Sequence, residues 1–218
     1  MDVHILNEQN SLLNKFLKEI RDREIQLDPM RFRRNLERIG EISAYEISRH
    51  LNYEPQTVVT PLGEAVVQSI SDKIVLATIL RAGIPFHQGF LNYFDDAHNA
   101  FVAAYRKNHK DNSFTVQMEY CSCGNLEDKI LILADPMLAT GSSFVLAYDA
   151  LCEKGGQPLH THVASVIASE QGVDYIKRHM PAGRTTLWCA ALDEELTSKS
   201  YIVPGIGDAG DLAYGKKI

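Results

Sequence analysis

At 218 residues with 45% hydrophobic side chains, the chain is long enough to bury one sizeable core, and a single domain over 1–218 is expected. A net charge of −6 argues against a general nucleic-acid surface, which needs Lys and Arg to neutralise many phosphates. The apolar stretches are strand-sized and no leader-like segment is read, so a cytoplasmic protein is expected, with Cys121, Cys123, Cys152 and Cys189 as reduced, structural thiols.

The first segments read as helices. Leu12, Leu13, Phe16, Leu17 and Ile20 form one apolar face, Asp28-Pro29 starts a second helix, and Phe32, Leu36, Ile39 and Ile47 continue the pattern. This N-terminal helical part reaches to about residue 55. Within it Arg31, Arg34 and Arg38 lie at i, i+3 and i+7, beside Arg33, and read as one basic stripe. A short hairpin around Pro61-Leu62-Gly63 leads to strand Ile74–Leu80, helix Phe86–Phe94 and strand Ala100–Tyr105. The polar segment 107–128, with a β-rich piece at Ser113–Met118, reads as a flexible β-hairpin over a site. Strand Ile130–Ala134, helix Ser143–Lys154, strand Thr161–Ala168, helix Val173–His179 and strand Thr186–Leu192 follow. This alternation predicts an α/β fold: a mostly parallel sheet flanked by helices, with ligands beyond the carboxyl ends of its strands. Arg81, Arg106 and Asp135 each fall one step past a predicted strand.

Asp135-Pro136-Met137-Leu138-Ala139-Thr140-Gly141-Ser142-Ser143 joins a pure strand signal to an amphipathic helix. A terminal carboxylate, small and hydroxylated residues and a helix N-terminus offer backbone N–H groups, hydroxyls and a positive dipole end to a phosphomonoester. An ordinary strand-to-helix turn is the other local reading, and the G-x-x-x-x-G-K-[ST] signature is absent. Gly205, Gly207 and Gly210 satisfy G-x-G-x-x-G, but only residues 211–218 follow, too few for a βαβ unit; a tight C-terminal loop is expected instead. His160 and His162 share one side of a strand without a third ligand, and read as core or surface histidines.

Asp135–Ser143 resembles the phosphoribosyl diphosphate loop of uracil phosphoribosyltransferases, with Ser142 where Gly is usual. Tyr201-Ile202-Val203-Pro204-Gly205-Ile206-Gly207-Asp208-Ala209-Gly210-Asp211 is similar to the segment with which that family reads uracil, with a conservative change at Ile206. Leu80–Ile84 and Ala104–Arg106 resemble its two arginine-bearing segments; Arg31-Phe32-Arg33 and Tyr45-Glu46 have weaker counterparts. The resemblance implies a type I phosphoribosyltransferase-like fold and transfer of the 5-phosphoribosyl group from phosphoribosyl diphosphate to N1 of uracil, giving UMP. By the match, Arg81, Arg106, Asp135 and Asp208 serve catalysis and the donor. Pro136, Met137, Leu138, Ala139, Thr140, Gly141, Ser142 and Ser143 complete the donor loop, and Ile202, Gly207, Asp208 and Ala209 bind uracil. Mg²⁺ is implied as cofactor, held by diphosphate and water rather than by protein ligands. The family also implies a homodimer or higher homo-oligomer and admits a GTP effector; on that view the arginine stripe serves as a subunit contact or anionic effector site instead of a solvated face. The chain departs from the family at Leu212, Ala213 and Tyr214 and over Asp193–Thr197. The alternatives are a catalytically weak regulatory protein that binds phosphoribosyl diphosphate, and the same chemistry on another base.

Overall fold

The computed structural model describes the backbone of residues 1–108 and 114–216, and the side chains of 1–103 and 119–216. A short strand, β1 (Asp2–Ile5), precedes the helices α1 (Leu12–Arg21) and α2 (Pro29–Ser48). Ser11 caps α1 and Asp28 caps α2, each accepting from backbone N–H groups of the first turn, with Pro29 at a position that needs no donor. Leu12, expected on the buried face, is 72% exposed; the buried stripe begins one residue later, with Leu13, Leu17 and Ile20.

The hairpin expected around Pro61–Gly63 is a long arm of two eight-residue strands, β2 (Tyr53–Thr60) and β3 (Gly63–Ile70), which pair only with each other. The N-terminal helical part therefore ends at Ser48, earlier than expected. Next come β4 (Ile74–Leu80), α3 (Gly83–Leu91), β5 (His98–Asn108) and β6 (Phe114–Ser122). Arg106, expected just past a strand, lies within β5, its backbone in register with Val116; its side chain is outside the described residues. The hairpin read over 107–128 starts inside β5 and returns as β6, its tip at 109–113 lies outside the described residues, and the rest is loop.

The chain continues through β7 (Ile130–Ala134), β8 (Met137–Leu138), α4 (Ser142–Gly155), β9 (His160–Ser169), α5 (Glu170–His179) and β10 (Thr185–Asp193). It closes with β11 (Glu195–Leu196), β12 (Ile202–Val203) and α6 (Ala209–Tyr214). The main sheet runs β1-β10-β9-β7-β4-β5-β6, parallel except for β6, which is antiparallel to β5. Alternation sends Ile74 and Leu76 of β4 into the core under α1, α2, α3 and α6, while Val75, Ala77 and Ile79 face the core under α4 and α5. Among the described residues no helix is long and apolar enough to cross a membrane.

From β4 the chain moves one way to β5 and then returns to β7 on the other side, from which β9 and β10 follow outward. The topological switch point, where the connections diverge and leave a crevice, therefore lies between β4 and β7.

Candidate active site

Arg81 follows β4 and Asp135 follows β7, so the two flank the switch point. The strands are drawn close there: the Thr78 hydroxyl donates to the Ala134 carbonyl (3.1 Å), and a Cβ on Gly83, the first residue of α3, would strike that hydroxyl and approach the same carbonyl. The Leu80–Arg81 peptide is cis.

The segment read as a loop from Asp135 keeps to the sheet for longer than expected. Ala134 pairs with Ala164, and Met137 and Leu138 pair with Ile167 and Ala168, the same register offset on both sides of Asp135-Pro136. Asp135 N–H donates to the Ala164 carbonyl, and the Pro136 carbonyl accepts from both Val166 and Ile167 N–H groups, so proline's missing donor does not break the lane. The loop proper begins at Ala139. Gly141 carries the left-handed backbone (φ 81°), and Ser142 opens α4 behind it outside that region, so the Ser in place of the family's Gly is accommodated. A Cβ on Gly141 would also press on Tyr175 and the Gly172 carbonyl. Thr140 and Ser142 hydroxyls are 2.9 Å apart. No side chain caps α4, so its first N–H groups face the loop's concavity with the dipole's positive end.

Ser169, which the sequence reading missed, fixes this loop from the neighbouring strand. Its hydroxyl donates to the Ala139 carbonyl (2.6 Å) while accepting from Gly172 N–H (2.9 Å), capping α5 and tying the start of the loop to it. The Ser before Glu170 was a legible capping signal; its bond to residue 139 was not.

The glycine segment does not end as a loop: α6 begins at Ala209 and includes Gly210, while Gly205 (φ 55°) and Gly207 (φ 85°) hold the turn before it. Asp208 caps α6, its Oδ1 accepting from Asp211 N–H at 2.9 Å. Ile202, Ile206 and Ala209 are buried in the same cluster that Met137 and Ala139 pack against. Across the crevice, Arg81 Nη2 lies 3.6 Å from Asp211 Oδ1 and 3.3 Å from the Gly215 carbonyl. The 139–143 loop, Arg81 and the glycine segment thus share one end of the sheet.

The arginine stripe is held by its own chain. Arg31 makes a two-pronged pair with Glu19 (2.8 and 3.0 Å), Arg34 pairs with Glu37 (2.6 Å), and Arg38 donates to Asn35 over the Phe16 ring. The Arg31 hydrogen bonds, helped by Asn35, lower the Glu19 pKa. Arg33 donates to the Ala213 carbonyl (2.6 Å) and lies over Tyr214, tying α2 to α6. His160 and His162 serve structure: His160 bonds the Thr186 hydroxyl, and Trp188 Nε1 donates to His162 Nδ1.

A family model for uracil phosphoribosyltransferase matches residues 7–216. The uracil phosphoribosyltransferase of Porphyromonas gingivalis is 57% identical over 218 residues, covering 100% of both chains. That of Methanothermobacter thermautotrophicus is 40% identical over 209 residues, 95% of this chain and 93% of its own. Among solved structures, the AQ2163 protein from Aquifex aeolicus superposes with a TM-score of 0.86 at 26% identity, over 98% of each chain. A hypoxanthine phosphoribosyltransferase from Staphylococcus aureus, 13% identical with a TM-score of 0.50 over 86% and 84% of the two chains, shares the fold alone. The match takes in both signature segments, and the chain belongs to the uracil phosphoribosyltransferase family.

Proposed function

We infer that this chain transfers the 5-phosphoribosyl group of phosphoribosyl diphosphate to N1 of uracil in the cytoplasm, forming UMP and diphosphate. The observation that carries this reading is that Arg81 follows β4 at the switch point and reaches Asp211, just past the 202–209 segment, while Met137 and Ala139 pack against the cluster that holds Ile202, Ile206 and Ala209. In the reaction the N1–C1′ bond forms, the C1′–O bond to diphosphate breaks, and the N1 proton is lost. Charge grows on the leaving group while the ribose becomes cation-like, so the protein must neutralise the one and keep water from the other.

Arg81 and Arg106 contact the diphosphate, Asp135 holds the ribose hydroxyls, and the loop closed by Pro136, Met137 and Leu138 receives the 5-phosphate through the N–H groups and hydroxyls of 139–143. Mg²⁺ would arrive on the diphosphate with most of its waters and add positive charge to the leaving group, the hard carboxylates of Asp135 and Asp208 being suited to those waters rather than to the ion. Main-chain groups at Ile202, Gly207 and Ala209 read the polar edge of uracil, with Asp208 toward the donor. Cytosine offers a donor where uracil has an acceptor, so an N–H aimed at O4 rejects it by up to about 10⁴-fold. The exposed arm supports a homodimer or higher homo-oligomer: Val59, Leu62 and Val66 are 83%, 100% and 68% exposed on one hairpin, apolar surface suited to a second copy.

The test is incubation of the purified protein with phosphoribosyl diphosphate, Mg²⁺ and each nucleobase in turn. UMP forms with uracil; absence of UMP overturns the reading.

A further inference from the structure

Asp193 is the last residue of β10 and Arg21 the last of α1, 172 positions apart in the chain, and both meet Gly205. Asp193 Oδ1 accepts from Arg21 Nη2 (2.8 Å), and Oδ2 accepts from Arg21 Nη1 (2.9 Å) and from Gly205 N–H (2.9 Å). Arg21 Nη1 also donates to the Gly205 carbonyl at 3.0 Å. Gly205 is thus gripped at both its N–H and its carbonyl, two residues before Gly207. Only glycine fits there, since φ is 55° and a Cβ would strike the Ile202 carbonyl. Between Asp193 and Gly205 the chain makes the small β11–β12 excursion, with Glu195 opposite Val203 and Leu196 opposite Ile202. The carboxylate closes this excursion and returns the chain to the end of the rigid sheet. The Asp193 side chain is 6% exposed and that of Arg21 26%, so solvent screens the fork little and its planar two-bond geometry is well defined.

We propose that Arg21 and Asp193 are positioning residues for base recognition: their ion pair sets where the 202–209 segment presents its main chain to uracil. This rests on the reading that this segment receives the base. The clamp acts on peptide groups rather than on substrate, so it shifts affinity for uracil while leaving the donor site, anchored on α4 and β9, unchanged. Bidentate pairing is also directional. Lysine at position 21 keeps the charge and loses the fork, which predicts an intermediate defect.

The experiment measures KM for uracil and for phosphoribosyl diphosphate separately, with kcat and Tm, in full-length Arg21→Lys, Asp193→Asn and the double variant, beside Gly207→Ala as a direct perturbation of the base segment. Asp193→Asn should raise the uracil KM about tenfold, equivalent to about 1.4 kcal/mol, with the donor KM within about twofold. Arg21→Lys should raise it less, and the double variant no more than Asp193→Asn alone, because both single changes break one unit. If Gly207→Ala raises the uracil KM while Asp193→Asn and Arg21→Lys do not, the clamp is overturned and the base reading stands. If Gly207→Ala also leaves it unchanged, the base reading falls and the clamp with it. A proportional loss of activity and Tm with both KM values unaltered marks a purely structural pair and overturns the proposal. Arg21→Lys retains the charge opposite Asp193 and serves should Asp193→Asn fail to fold.

Discussion

Two sets of helix ends in this molecule are built differently. α1, α2, α5 and α6 each begin with Ser or Asp whose side chain accepts from a first-turn N–H: Ser11, Asp28, Ser169 and Asp208. α3 and α4 begin with Ala82 and Gly141 and have no such side chain. The uncapped pair are the helices that follow β4 and the β7–β8 lane, on either side of the switch point. Open N–H groups cost stability when nothing meets them, and on the reading proposed above the two uncapped ends are the ones that receive anions. On that reading the 5-phosphate of phosphoribosyl diphosphate would meet the α4 end and its diphosphate the α3 end.

The largest test of this contrast is Arg81→Ala. If the α3 end alone could hold the diphosphate, the loss would be small. We expect kcat/KM to fall about 10²–10³-fold, the cost of removing one strong donor from developing charge, with circular dichroism unchanged; near-normal kinetics would take Arg81 out of the mechanism.

Away from the switch point a perturbation should register in stability alone. His162 is buried beside His160, His50 and His4, and burial above all pushes its pKa down to about 3, from 6.5 in the unfolded chain. Between these values the unfolded state binds a proton that the folded state refuses. Stability is therefore level above about pH 6.5 and falls as pH drops toward 3, by up to about 1.4 kcal/mol per pH unit. Tm measured from pH 7 to 5 in the parent and in His162→Asn checks this: the variant should show the shallower slope.

Ser169→Ala removes a cap from the closed set and a carbonyl anchor from the open one at once. A stability loss of about 1 kcal/mol should come with a several-fold rise in KM for phosphoribosyl diphosphate; a stability change alone would separate the two functions. The smallest effect is expected for Ser142→Gly, which restores the family's usual residue where φ is ordinary. Stability should fall by less than about 1 kcal/mol, and the donor KM should stay within about twofold.

How much of this was legible depended on how local its cause was. β7 stood out as an uninterrupted apolar run, and β4, β9 and β10 as largely apolar ones, because both faces of a parallel strand are covered. β1 escaped because Asp-Val-His-Ile is four residues long and sits at a sheet edge, and α6 because Ala-Gly-Asp-Leu-Ala-Tyr reads as the end of a glycine loop. The extent of the β2–β3 arm was hidden because neither of its faces is buried. Pro136 disguised β8 as loop, since the carbonyl that keeps it in the sheet leaves no trace in residue type. In the candidate site, the 139–143 turn and the place of Arg81 after β4 were readable from adjacent residues. Ser169 acts 30 positions away and Asp193 meets Arg21 172 positions away, and such bonds belong to the tertiary fold.

Trp188, the chain's only tryptophan, lies almost fully buried with its indole N–H on His162 and its face 4.0 Å from the His4 ring. Its emission should therefore serve as a built-in optical gauge of folding: blue and steady while the ring pair is neutral and packed, dimmed when an imidazolium forms against the indole, and red once water enters. Because Trp188 lies on the amino-terminal half of β10, a titration with substrate should leave that signal flat, so unfolding and ligand occupancy can be followed in one cuvette without an added dye.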